Sequence, residues 1–190
     1  LKDDGTLDAE MRALADSLGV HYLARSENKH AKAGNLNNAL AHTHGAFIAM
    51  FDADHAPRRD FLLKTLGYFL DPKVALVQTP QEFFNLNSFQ HRVSSRTRRM
   101  WTEQSLFFKV LQRGKDYWNA AFFCGTCAVV RRQSIDHIGG FAVGTVTEDL
   151  HTSIKLHKAG LLSVYHAKSL AFGIAPAQIE ITFLPRRRAC

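Results

Sequence analysis

The sequence predicts an α/β fold with a mainly parallel sheet flanked by helices, and three observations predict it. Segments of strand character alternate with segments of helical periodicity along most of the chain. The run Phe-Ile-Ala-Met-Phe at 47–51 is apolar at every position instead of alternating, as in a strand buried on both faces of a parallel sheet. Gly19, Gly45 and Gly160 each close a helical stretch, where a residue tolerant of positive φ ends the hydrogen-bond ladder.

The elements follow in order. Leu7, Met11, Leu14 and Leu18 recur at helical spacing up to Gly19, and Val20-His21-Tyr22-Leu23 then reads as a strand. Residues 29–44 form a second helical stretch carrying Leu36 and Leu40, followed by the strand at 47–51. Residues 61–69 are helical until Asp71-Pro72 stops them, and 74–77 is the next strand. A long amphipathic stretch covers 88–112 with Phe89, Val93, Trp101, Phe107, Phe108 and Leu111 on its apolar side. Phe122-Phe123 and Ala128-Val129-Val130 read as strand-like flanks of Cys124-Gly125-Thr126-Cys127. Residues 147–159 are helical, and 163–166 is the last strand. In open α/β sheets ligands bind beyond the carboxyl ends of the strands, so chemistry is expected after residues 51 and 77.

The 190 residues fit one domain, 1–190, and 46% hydrophobic with 22% charged residues is ordinary for a soluble globular protein. No apolar run reaches the length of a membrane span, and the opening Leu1-Lys2-Asp3-Asp4 does not read as a secretion signal, so the chain itself is expected to be soluble and cytosolic. A net charge of +7 suits nucleic acid, an anionic membrane or a phosphorylated small molecule. Part of it sits at Arg96, Arg98 and Arg99 and part at Arg186, Arg187 and Arg188, where solvated faces explain it equally well. The nucleic-acid reading rests on charge alone, without aromatic platforms interleaved with basic residues, and no nucleic-acid partner is expected.

Three cysteines do not make a disulfide scaffold. The Cys124–Cys127 pair has the C-x-x-C spacing, but a redox pair sits where a helix begins, and here Ala128-Val129-Val130 follows. A zinc site needs two more soft ligands, and Cys190 is the one remaining thiol.

Asp52-Ala53-Asp54 follows directly on the strand at 47–51. Two carboxylates one residue apart at a strand's carboxyl end can present oxygen ligands to Mg2+ or Mn2+, which commonly bridge to phosphate. Phosphatases of the haloacid dehalogenase type also place D-x-D after a strand, but continue with a small β-branched and apolar segment that His55-Ala56-Pro57 does not match. Asp3-Asp4-Gly5 and Thr147-Glu148-Asp149 both precede helices, where acidic residues cap free N–H groups. A carboxylate at 148 or 149 can also act as a general base, and the residues alone leave both readings open. Lys32 stands near a helix start beside small residues, where a phosphate can approach closely, or is a solvated surface lysine.

Taken in order, Asp3-Asp4-Gly5, His-Ala-Lys-Ala-Gly-Asn-Leu-Asn at 30–37, Phe51-Asp52-Ala53-Asp54-His55, Gln78-Thr79-Pro80, Phe122-Phe123-Cys124-Gly125-Thr126 and Thr147-Glu148-Asp149 resemble the family 2 processive β-glycan synthases, cellulose synthase catalytic domains above all. The resemblance covers nearly the whole chain. It implies a GT-A-type, Rossmann-like fold, a UDP-sugar donor (typically UDP-glucose), a divalent metal (Mg2+ or Mn2+) and inverting transfer of glucose to a β-1,4-glucan acceptor. It implies that Asp4 or Asp3 contacts the uridine part, that Lys32 lies near the donor phosphates, and that Asp52 and Asp54 hold metal and diphosphate. Phe123, Cys124, Gly125 and Thr126 would line the acceptor end, and Asp149, beside Glu148 and Thr147, would be the base. Adjacent helical residues point about 100 degrees apart, so Glu148 and Asp149 are not expected to face the acceptor together.

The family pattern also includes an upstream nucleotide-binding strand and a C-terminal Q-x-x-R-W motif. Here the chain starts at Asp-Asp-Gly, and Phe-Leu-Pro-Arg-Arg-Arg-Ala-Cys at 183–190 has the arginines without Gln or Trp. The expectation is a catalytic domain truncated at both ends. Its parent would work at the cytoplasmic face of the inner (plasma) membrane with membrane helices and accessory subunits. The alternatives are a processive synthase with another UDP-sugar or linkage, and a donor-binding fragment that does not turn over alone.

Overall fold

A computed structural model describes residues 8–25, 29–84 and 103–174. Helix α1 (Ala9–Leu18) begins at Asp8, whose Oδ1 accepts from the N–H groups of Glu10 (3.0 Å) and Met11 (3.1 Å). It ends on Gly19 at φ +65°. The expected strand at 20–23 does not form. Val20 and Leu23 are exposed, and the segment turns back on α1, with Asp8 N–H donating to Tyr22 Oη at 2.9 Å.

Helix α2 (Ala31–His42) is followed by strand β1 (Phe47–Met50), the short β2 (Ala56–Pro57), helix α3 (Phe61–Thr65) with a 3-10 continuation Leu66–Leu70, strand β3 (Val74–Gln78) and the short β4 (Glu82–Phe83). After residue 103 come α4 (Glu103–Leu106), a π turn (Phe107–Leu111), α5 (Gln112–Tyr117), strand β5 (Ala128–Arg131), α6 (Arg132–His137), α7 (Glu148–Lys158), strand β6 (Leu162–Tyr165) and β7 (Ala171–Gly173). Of the amphipathic stretch 88–112, the part before 103 lies outside the described residues, and the remainder is helical but broken by the π turn.

The main sheet has the order β1-β5-β3-β6. Strands β1, β3 and β6 share one direction, and β5 runs against them between β1 and β3. The sheet is therefore mixed, with its three co-directional strands delivering their carboxyl ends to one edge. Since β5 is reversed, its amino end, Ala128, arrives at that same edge, opposite both Met50 and Gln78. Paired residues of β3 and β5 alternate between faces. Leu76 and Val130 enter a cluster with Met50, Phe123, Ile135, Phe141 and Leu156, while Val77 and Val129 enter another with Phe61, Phe69 and Leu170. Helices thus cover both faces, and every residue of β3 is buried.

Strand β1 departs from the expectation of two-sided burial. Among the described residues it is an edge strand, with Phe47 and Ala49 exposed. Phe47 is apolar for a local reason. Its ring packs on Phe69 at 4.8 Å and lies under the Arg131 guanidinium at 5.5 Å.

Phe122 and Phe123 are not a strand either. Their backbone groups bond to side chains: Phe122 N–H and C=O to the Gln112 amide, and Phe123 N–H to Ser153 Oγ at 2.8 Å. A second sheet, β2-β7-β4, was not anticipated, because strands of two or three residues carry no readable periodicity. It brings Gly173 against the His55 ring.

Candidate active site

The loop entering β5 organises the site. Gly125 (φ +82°) and Cys127 (φ +55°) both take left-handed backbone conformations, which folds residues 124–127 tightly over the edge where β1 and β3 end. Thr126 is 1% exposed, and its Oγ1 accepts from the backbone N–H of Asp52 at 2.8 Å. That bond fixes the first carboxylate of Asp52-Ala53-Asp54 to the loop. The turn is closed by His55 N–H donating to the Asp52 carbonyl at 2.9 Å.

Lys32 lies in the first turn of α2 and forms an ion pair with Asp52 Oδ1. Asp54 Oδ1 and His55 Nδ1 are 2.8 Å apart. The His55 ring is almost fully buried, at 4% side-chain exposure, between Phe83 and Gly173. Its Nε2 is buried with no hydrogen-bond partner among the described residues. Asp52, Asp54 and His55 each offer one possible ligand atom, and those atoms lie within 4.8 Å of one another. Two carboxylates, an imidazole with an unsatisfied buried nitrogen and an adjacent lysine suit a divalent cation carrying an anionic ligand.

On the other side of Gly125 stands Asp149, at the start of α7. A cleft between α2 and α7 is lined by Lys32, Gly125, Phe123, Glu148 and Asp149, with Leu36 and Phe141 at its apolar end. Burial pushes the Asp149 carboxyl above its usual range, helped by the negative charge of Glu148 and opposed by hydrogen bonding from Leu150 N–H and by Lys32. Thr147 is the N-cap residue, but its side chain makes no cap bond. It is exposed and outside the cleft lining. Glu148 and Asp149 both line the cleft, at the first turn of α7.

The four residues expected at the acceptor end divide. Gly125 reaches the cleft between Lys32 and Asp149. Phe123 is 3% exposed and belongs to the core, with its ring 6.1 Å from Phe141 and one side on the cleft. Thr126 braces Asp52. Cys124 turns its sulfur inward, where it accepts from Gln112 Nε2 at 3.0 Å. Burial pushes the Cys124 thiol up to about 12 and the Cys127 thiol up to about 11, the opposite of the thiolate that redox or zinc chemistry requires. Asp3 and Asp4 lie outside the described residues, as does the stretch 183–190.

Sequence reasoning gave no role to two residues that hold the site together, although one of them, Asn37, ends the motif at 30–37. Asn37, in the helix that carries Lys32, clamps Phe141 by its backbone, donating to its carbonyl (2.9 Å) and accepting from its N–H (2.8 Å). Ser153 ties α7 to the loop, donating to the Asp149 carbonyl while accepting from Phe123 N–H. Both are polar residues at helix positions facing the core, and that mismatch was the available signal.

The comparison with known proteins decides the family. The family model described as Glycosyl transferase family 2 matches residues 1–139. The chain belongs to glycosyltransferase family 2. Among its family 2 relatives, the cellulose synthase catalytic subunit (UDP-forming) of Pseudomonas fluorescens (strain SBW25) is 49% identical over 179 residues, which is 94% of this chain and 24% of that protein. Cellulose synthase 1 of Komagataeibacter xylinus is 47% identical over 178 residues, 93% of this chain and 11% of that protein. The chain therefore spans a quarter or less of the length of these relatives.

Solved structures agree on the fold. A mannosyltransferase from Pyrobaculum calidifontis, in complex with GDP-Man and Mn2+, superposes with a TM-score of 0.65 at 22% identity, covering 97% of this chain and 49% of that one. Mannosyl-3-phosphoglycerate synthase from Rubrobacter xylanophilus gives 0.51 at 16% identity, covering 96% of this chain and 56% of that one. The family 2 chain thus has a GT-A-type α/β fold. No helix among its described residues is long and apolar enough to cross a membrane.

Proposed function

We propose that this chain carries the catalytic site of a UDP-forming β-glycan synthase, which transfers glucose from UDP-glucose with inversion to the end of a growing β-1,4-glucan. The observation that carries this reading is that Lys32 and Asp149 meet beside Gly125 while Lys32 pairs with Asp52 of the Asp52–Asp54–His55 group, in a chain 43–49% identical to cellulose synthases.

Lys32, Asp52, Asp54 and His55 form the donor side. Asp52, Asp54 and His55 would hold Mg2+ or Mn2+, which supplies positive charge to the diphosphate as it leaves. Lys32, released from Asp52 as the phosphates arrive, adds its own charge there. Asp149 faces the acceptor and takes the proton of the attacking hydroxyl, and its partial burial makes it a stronger base than an exposed carboxylate. Gly125 leaves the gap between these groups open. Asp3 and Asp4 belong to the uridine side, on the resemblance of Asp3-Asp4-Gly5 to the family motif. In this reading the parent protein works at the cytoplasmic face of the membrane with further subunits, as its similarity to cellulose synthases suggests.

The test is incubation of the full-length protein with radiolabelled UDP-glucose and Mg2+ or Mn2+. Label should enter an insoluble polymer that β-1,4-glucanase digests, with UDP released alongside. Polymer that resists this enzyme would move the reading to another linkage. Absence of both polymer and UDP would overturn it.

A further inference from the structure

Gln78 breaks the pattern of its strand. It ends β3, a run buried at every position in the middle of the sheet, yet it is an amide with no exposed surface. A buried amide is costly unless its groups are paired, and Gln78 pairs its groups with one loop. Its Oε1 accepts from Cys124 N–H at 2.8 Å. Its Nε2 donates to the Thr126 carbonyl at 2.8 Å and to the carbonyl of its neighbour Thr79 at 2.9 Å. Thr79 continues the same contact, with backbone N–H and Oγ1 both donating to the Cys127 carbonyl at 3.0 and 2.8 Å.

These bonds replace a strand ladder. Residues 124–127 contain two left-handed positions and no sheet partner, so their shape must be imposed from outside. Gln112 and Ser153 hold the preceding residues, Phe122 and Phe123, and Gln81 Nε2 donates to the Cys124 carbonyl at 2.9 Å. Among the described residues, Gln78 is the side chain that spans Cys124 and Thr126, and so fixes the backbone on both sides of Gly125. Thr126 then carries the constraint to Asp52 through Oγ1. One side chain thus sets Gly125 relative to Asp149 and Lys32 on one side and the Asp52 turn on the other.

We infer that Gln78 is a positioning residue that holds the Cys124–Thr126 loop in register between the donor side and the acceptor side of the site. The inference rests on the function proposed above. If the loop drifts, Asp52 loses one bond but keeps its pair with Lys32 and its turn bond from His55 N–H, and Asp54 and His55 bond to each other and not to the loop, so donor binding survives. The acceptor hydroxyl, however, no longer meets the anomeric carbon in line. Water then competes for the donor, giving free glucose and UDP in place of polymer.

The test is Gln78→Met, which keeps length and apolar volume but removes the amide, in the full-length protein. UDP affinity should stay within about twofold. Polymer synthesis should fall on the order of a hundredfold, the cost of a displacement of about 1 Å at a reacting centre. UDP released per glucose incorporated should rise above the parent's ratio, and alkylation of Cys124 in the folded protein should become faster as the loop loosens. Polymer rate and Cys124 alkylation equal to the parent's would overturn the inference while leaving the proposed function standing. Polymer rate and UDP affinity falling in step would also overturn it, because Gln78 would then support the fold at large. A parent that releases no UDP from UDP-glucose would defeat the functional reading instead, and Cys124 alkylation would still show whether Gln78 holds the loop. If Gln78→Met does not fold, Gln78→Glu keeps the acceptor for Cys124 N–H, removes the Nε2 donations to the Thr79 and Thr126 carbonyls, and should give the same outcomes.

Discussion

Asp149 and Lys32 both border the space that a side chain at Gly125 would enter: a Cβ placed there would lie 3.7 Å from Asp149 Oδ2 and 3.6 Å from Lys32 Nζ. Those are ordinary contact distances, so space alone would admit a methyl group. The backbone would not, because φ is +82°. Gly125→Ala should lower stability by about 1–2 kcal/mol, the cost of a left-handed conformation for an L-residue. It should lower turnover further than that loss explains, because relieving the strain shifts the loop between base and lysine. Denaturant melts alongside polymer assays check this. Turnover unchanged from the parent would show that the loop does not govern the reacting geometry.

Asp149→Asn should reduce glucan synthesis by roughly two to four powers of ten, the contribution of a general base. UDP affinity should be retained, because the donor side does not include Asp149. The stability effect has a definite sign. Burial raises the Asp149 carboxyl in the folded state, so its protonated form is the one the fold favours. That stabilisation is present below the unfolded carboxylate range and is lost as pH rises through the raised folded value. At neutral pH the charged form is a cost, so Asp149→Asn should melt at the same or a higher temperature than the parent. The acid limb of the parent's activity profile should lie above the range of an exposed aspartate. A variant that loses UDP binding and stability together would mark Asp149 as a structural cap.

Cys124 and Cys127 should behave as packing residues. With thiols pushed up to about 12 and about 11, both should alkylate slowly in the folded protein at pH 8 and quickly once it is unfolded. Stoichiometric zinc by elemental analysis, or a disulfide between them under mild oxidant, would contradict this.

Much of the fold was legible because burial and period agreed. The run 74–77 could only be an interior strand, and the spacing of Leu36 and Leu40 on α2 matches the face they pack against the core. The reversed strand was not legible. Ala128-Val129-Val130 is equally apolar whichever way it runs, so its antiparallel pairing depends on where the preceding loop turns. That turn depends on Cys127 taking φ +55°, which no local pattern announces. The strand expected at 20–23 failed for the opposite reason: its residues have strand propensity but join neither sheet, and Tyr22 bonds to Asp8 at the start of α1. In the candidate site, the charged residues that the structure brings close, Asp52, Asp54, Lys32 and Asp149, stood out in the sequence through the motifs that carry the family resemblance. The amides and hydroxyls that aim them did not. The bonds of Gln78, Asn37 and Ser153 link positions 46, 104 and 30 residues apart, a separation that sequence patterns do not register.

If Asp52, Asp54, His55 and Lys32 form a metal-dependent site for a nucleoside diphosphate, calorimetry with UDP reads it out. With Mn2+ or Mg2+ the protein should bind UDP, and a chelator should remove most of the affinity. Asp54→Ala should bind weakly even with metal present, because one of two carboxylates facing the cation is gone. Equal UDP affinity in chelator and in Mn2+, or an Asp54→Ala protein that binds as the parent does, would contradict the account.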